Sequence, residues 1–131
     1  MTKVGRAQAL SAALGLVLSL VLGLGACAHG SNAGAEARQA VIEANIAELQ
    51  GCWDDVADQH PGASGSLLFA VELRRNGSVD WVDIEVDELG VAKLSACAVR
   101  NIKKWRFPED RRRRSIRFGV GFTAPVLDSQ Q

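Results

Sequence analysis

Residues 94 to 108 read Leu-Ser-Ala-Cys-Ala-Val-Arg-Asn-Ile-Lys-Lys-Trp-Arg-Phe-Pro, and they limit what the rest of the chain can build. Leu94, Ala98, Ile102 and Trp105 recur at spacings of four, four and three, which places them on one helical face. Cys97 lies beside that stripe, and Arg100, Lys103, Lys104 and Arg106 take the other faces. Pro108 cannot continue a helix and drives Phe107 before it towards an extended conformation. A helix is therefore expected to end near Trp105 or Arg106, with Phe107 turned into a core that the rest of the chain must supply.

The start of the chain is of a different kind. Lys3 and Arg6 precede an almost wholly apolar run from Ala9 to Leu24, and Leu24-Gly25-Ala26-Cys27 follows. This is the layout of a secretory signal peptide. Its last four residues resemble a bacterial lipobox, which implies lipid on Cys27 and cleavage just before it. The run is also long enough to span a bilayer, but small residues placed immediately before a cysteine favour the lipoprotein reading. Residues 1–26 are thus expected to be a signal peptide, 27–40 a lipidated flexible tether, 41–126 the folded domain and 127–131 a disordered tail. Loss of Lys3 and Arg6 from a chain with 15 basic and 15 acidic residues leaves 13 against 15. Overall charge therefore selects no class of partner. Export places the domain in an oxidising compartment. With Cys27 lipidated, Cys52 and Cys97 remain as an even pair. A disulfide between them closes a loop of about 45 residues, which the chain-entropy account values at roughly 4 kcal/mol. A redox or metal role has less to draw on: no Cys-x-x-Cys is present and His60 is the only nearby histidine.

Ala28 to Gln39 is small and polar and reads as the tether, spanning about 20 Å on average if flexible. Residues 40–59 read as a first helix, in which Ile42, Ile46, Leu49, Trp53 and Val56 form a narrow apolar seam with Cys52 next to it. From Gly65 to Arg74, Leu67, Phe69, Val71 and Leu73 alternate with more polar positions, as in a half-buried strand. Asn76-Gly77 signals a hairpin. A three-residue loop, Arg75 to Gly77, pairs Leu73 with Val79 and puts Gly77 in the left-handed region. In the second strand, Ser78 to about Asp87, Val79 has one parity while Val82, Ile84 and Val86 have the other. A bulge near Asp80-Trp81 reconciles them and turns Trp81 outward with Asp83 and Glu85. Ile116, Phe118, Val120 and Phe122 alternate with Arg117, Gly119, Gly121 and Thr123 in a third strand, which Pro125 ends. The expected fold is α+β: helix-strand-strand-helix-strand, a three-stranded antiparallel sheet in the order 2-1-3, and both helices on the Leu67/Phe69/Val71 face.

The Gly65–Asp87 hairpin, the helix ending Trp105-Arg106-Phe107-Pro108 and the last strand ending at Phe122 resemble the C-terminal domain of TonB-like proteins. Cys52-Trp53 and Cys97 narrow this to the AgmX/PglI type, found in myxobacterial gliding-motility and envelope proteins. The likeness covers roughly residues 42 to 123. Two features depart from the type: Trp53 stands where tyrosine is usual, and Arg111 to Arg114 occupy a loop that is usually short and less charged. Unlike TonB itself, this chain has three prolines in all and no long Pro-rich spacer to cross a periplasm. What the resemblance implies is a binding mode, in which an edge strand accepts an extended peptide by strand addition.

The matching edge is the third strand, with Ile116, Phe118, Gly119, Val120, Gly121 and Phe122 as its candidate residues. The bare Gly119 and Gly121 would let a partner backbone approach. A second candidate is the basic cluster Arg111, Arg112, Arg113, Arg114 and Arg117, which with Arg100, Lys103, Lys104 and Arg106 forms a field that attracts phosphates or acidic proteins. In an exported protein the available partners are a periplasmic or outer-membrane protein, lipid, lipopolysaccharide or cell wall, and not nucleic acid. Leu68, Ala70 and Trp81 form a third candidate, an outward apolar surface. Asp54, Asp55, Asp58, Asp80, Asp83, Glu85, Asp87 and Glu88 lack the spacing of a calcium loop. No hydrolase elbow, phosphate loop or zinc spacing is present. A non-enzymatic protein without cofactor or metal is therefore expected. Ala28, in place of an aspartate after Cys27, points to the outer membrane by resemblance to lipoprotein sorting rules.

Overall fold

The computed structural model describes residues 32–125; Cys27, the apolar run before it and residues 126–131 lie outside them. The element order is α1 (Ala33–Ala57), β1 (Ser64–Leu73), β2 (Val79–Asp87), α2 (Ala92–Ile102) and β3 (Arg114–Thr123). The sheet is antiparallel in the order β2-β1-β3, as expected. Central β1 turns Leu67, Phe69, Val71 and Leu73 inward, and the first three are fully buried. Leu49 and Trp53 of α1 and Leu94, Ala98 and Ile102 of α2 cover the same face. Cys52 and Cys97 are joined, fixing the two helices to one another.

The first helix begins about seven residues earlier than its apolar seam indicates. Residues 33–40 are helical and not a tether. The reason is intrinsic propensity: this stretch is mostly Ala, Glu, Arg and Gln, all strong helix formers, with only Gly34 against it. Arg38 ties the extension to the body of the domain by reaching Asp110 at 3.7 Å.

The hairpin follows the three-residue loop, with Leu73 opposite Val79 and the bulge at Asp80. A second register shift, between Leu68 and Phe69, inserts Glu85. Beyond it the strand changes face. Val86, expected inside from its parity with Val82 and Ile84, lies beside Leu68 on the outer face and is 44% exposed.

The second helix also ends early. Its last turn tightens, with Lys104 and Trp105 donating to the carbonyls of Asn101 and Ile102, so the helix stops at Ile102. Trp105 has left the helix yet remains buried. Its Nε1 donates to Glu48 at 2.9 Å and its ring stacks on Phe118. Arg106 then bridges to Ser78, and the Phe107 amide donates to the Gly77 carbonyl at 2.9 Å.

Gly77 is required twice at this junction. Its φ is +82°, a conformation that costs L-residues roughly 1–2 kcal/mol. A Cβ there would also lie 1.9 Å from the Phe107 oxygen. Gly77→Ala is expected to destabilise the domain by about 3 kcal/mol or more, read as a lower urea midpoint with an unchanged slope. A shift below about 1 kcal/mol would show that the junction can move apart at little cost.

Candidate functional site

The direction of each backbone group along β3 follows from one hydrogen bond. Ala124 N–H donates to the Ala63 carbonyl at 2.8 Å, so that pair is of the hydrogen-bonded type, and the type alternates along an antiparallel ladder. Arg114, Ile116, Phe118, Val120 and Phe122 therefore aim their backbone groups at β1. Ser115, Arg117, Gly119, Gly121 and Thr123 aim theirs outward. The Gln50 amide confirms the parity from outside, donating to the Gly121 carbonyl at 3.2 Å. Of the six candidate edge residues, only Gly119 and Gly121 present main-chain groups to a partner. Ile116, Phe118, Val120 and Phe122 face the core side with their side chains and β1 with their amides. Period-two alternation marks the side-chain faces but not which amides lie outward. Ser115 and Arg117 emerge as outward-facing edge positions only from the register.

The two sheet edges differ. The edge of β2 is broken by two bulges. Its start is covered by Arg106, and the outward Ile84 N–H is taken by the Asp83 carboxylate at 2.9 Å. By contrast, β3 pairs with β1 over ten residues without a register shift. Its two glycines are not demanded by the domain. Neither has a positive φ. A Cβ would meet only Leu67 oxygen at 3.9 Å from Gly119, and nothing within 4 Å from Gly121.

The basic cluster divides in the folded chain. Arg117 belongs to the outer sheet face, where it pairs with Glu85 at 2.9 Å, and that bond holds its pKa above the ordinary arginine value. Arg113 and Arg74 share the Asp80 carboxylate. Arg114 pairs with Asp110 at 2.7 Å, alongside Arg38. Arg111 and Arg112 are exposed and form no ion pair among the described residues. A shallow hollow next to them is lined by Arg75, Asn76, Glu109, Asp110 and Arg111.

Trp81 stands on the outer face, 60% exposed, with half-buried Leu68 and Ala70 near it. Cys52 and Cys97 are consumed in their disulfide, and Cys27 lies outside the described residues. Among the described residues no group of three His, Cys, Asp or Glu is placed to hold a metal ion, and no helix is long and apolar enough to cross a membrane. Comparison with protein-family profiles, curated proteins and solved structures gives no match. The TonB-like resemblance therefore rests on the residue pattern described above.

Asp110 links the loop before β3 to α1. The Arg114 guanidinium, and after it the Arg112 amide, hold its carboxyl below the usual aspartate range. A carboxyl with a depressed folded pKa stabilises the fold above its unfolded pKa and loses that contribution as pH falls through the folded value. Asp110→Asn should therefore lower stability at neutral pH and flatten the loss seen on acidification below about pH 4. Thermal melts of both proteins across that range would check it; parallel curves would remove Asp110 from the acid limb.

Proposed function

We propose that this chain is a non-enzymatic, lipid-anchored outer-membrane protein that displays its domain in the periplasm and binds a protein partner by strand addition along β3. The anchor rests on the lipobox-like Leu24–Cys27, and the outer membrane on Ala28. The observation that carries the binding mode is the contrast between the edges. Long, flat, unprotected edges are selected against unless they are used. Here β2 is interrupted and capped, whereas β3 is regular and carries glycines that intramolecular packing does not need. An added strand would take the outward groups of Ser115, Arg117 and Gly119, with close approach allowed by the bare glycine face. Towards Gly121 the edge is partly filled, since Gln50 occupies its carbonyl.

A second reading, an envelope component held against lipid, lipopolysaccharide or wall by its basic surface, draws on the exposed Arg111 and Arg112. The two readings use different parts of the domain and are compatible.

Strand addition can be tested without knowing the partner. A photoreactive residue at Ser115 in the producing cell should give a discrete protein adduct. Gly119→Pro removes an outward N–H while sparing the β1 ladder, and should reduce that adduct about tenfold or more. Gly119→Ala serves as a variant that keeps the backbone donor and is expected to fold normally. An adduct that survives Gly119→Pro in a protein with an unchanged melting temperature would remove β3 from the site.

A further inference from the structure

The folded chain gathers one class of charge at one end. The end of β1 lies opposite the start of β3, with Leu73 paired to Arg114. The hairpin loop is bonded to Phe107, and Asp110 N–H donates to the Arg75 carbonyl. Arg38, in the second turn of α1, reaches the same Asp110. The starts of α1 and β3 and the ends of β1 and α2 therefore share a single pole. Residues 74–80 and 103–114, which build it, hold nine Lys or Arg against three Asp or Glu. Two of those acids, Asp80 and Asp110, are each shared by two arginines. Arg75, Lys103, Lys104, Arg106, Arg111 and Arg112 are exposed and form no ion pair among the described residues. The opposite pole, where α1 and β2 end, carries Asp54, Asp55, Asp58, Asp87 and Glu88, with Lys93 and Arg100 as cations beside Asp55.

The chain enters this basic pole from the side of Cys27. Asn32 is five residues beyond that cysteine, a separation of at most about 18 Å of extended chain. We infer that the basic pole docks on the anionic phospholipid headgroups of the membrane holding the anchor, so that the domain stands with α1 and β3 rising from the surface. This deepens the lipid-anchored reading and rests on it. The chemistry is that of a juxtamembrane basic cluster beside a lipid anchor, where each Lys or Arg at an anionic surface contributes about 1 kcal/mol. The acidic far pole is repelled by the same surface, which sets the orientation. The whole β3 edge then faces sideways into the periplasm.

The test uses the full chain purified from membranes. Its intact mass shows whether Cys27 carries lipid. The protein is then placed on vesicles of phosphatidylcholine alone or with added phosphatidylglycerol, and amide hydrogen exchange is followed. Anionic vesicles should protect residues 74–78 and 103–113, reversibly with salt, and neutral ones should not. In the Arg111→Gln, Arg112→Gln double variant that protection should fall about thirty-fold, while core exchange in β1 stays unchanged. If the mass shows no lipid, the anchor reading fails by itself. The same soluble protein should still sediment with the anionic vesicles at low salt and not with the neutral ones. Equal exchange on both vesicles, or no sedimentation with either, would overturn the docking proposal and leave an acidic protein as the ligand class for this pole.

Discussion

The hydrogen bond from the Phe107 amide to the Gly77 carbonyl joins parts of the chain that no regular element connects. It holds the hairpin loop against the segment leaving α2. That fixes where Trp105 and Phe107 enter the core and where the chain turns to begin β3. Proline makes the contact possible by forbidding helix after Phe107, and glycine makes it close, since no side chain fits between the two backbones. The buried Trp105 then joins two elements, with Glu48 of α1 on its nitrogen and Phe118 of β3 on its ring. The disulfide completes the clamp from the other side by holding α1 to α2. Conformational entropy is costly for so small a core, and these few non-local ties restrict the chain where hydrophobic area is limited.

Much of this was legible because the apolar pattern and the turn chemistry agree. The inward Leu67, Phe69, Val71 and Leu73, the loop at Asn76-Gly77 and the Asp80 bulge all follow from parity, since a strand whose apolar set changes face must gain a residue. The second bulge did not show itself. Val86 continues the parity of Val82 and Ile84, and only pairing with β1 reveals that Glu85 is inserted and that Val86 emerges outside. The helix ends erred in opposite directions for related reasons. From Ala33 onward strong helix formers resemble a linker in sequence because they lack an apolar stripe. Beyond Ile102 the apolar stripe runs on to Trp105, which is buried although it has left the helix.

The site was legible as an edge strand, but not in which of its amides face outward. Sequence alternation places Gly119 and Gly121 on the outer face, but the amides open to a partner depend on which pairs exchange hydrogen bonds, a matter of register. The basic cluster shows a similar limit. Consecutive arginines give local charge density, while the fold decides which charges are spent. Arg113 and Arg114 are held by Asp80 and Asp110, Arg117 lies on the outer sheet face and pairs there with Glu85, and Arg75, remote in sequence, joins Arg111 through the hairpin.

The proposed strand addition and headgroup contact make different demands, and the domain offers a different part of its surface to each. Strand addition needs a flat row of unpaired backbone groups and close approach, which glycine provides and charge would hinder. Headgroup contact needs long, solvated cations that follow a mobile surface, which loops and helix ends supply without strain. Because β3 begins at the basic pole and runs away from it, only its first residues, Arg114 and Ser115, lie close to whatever the pole touches. A partner strand could then pair along β3 without competing for the arginines, and the surface charge would orient the edge without taking part in its hydrogen bonds.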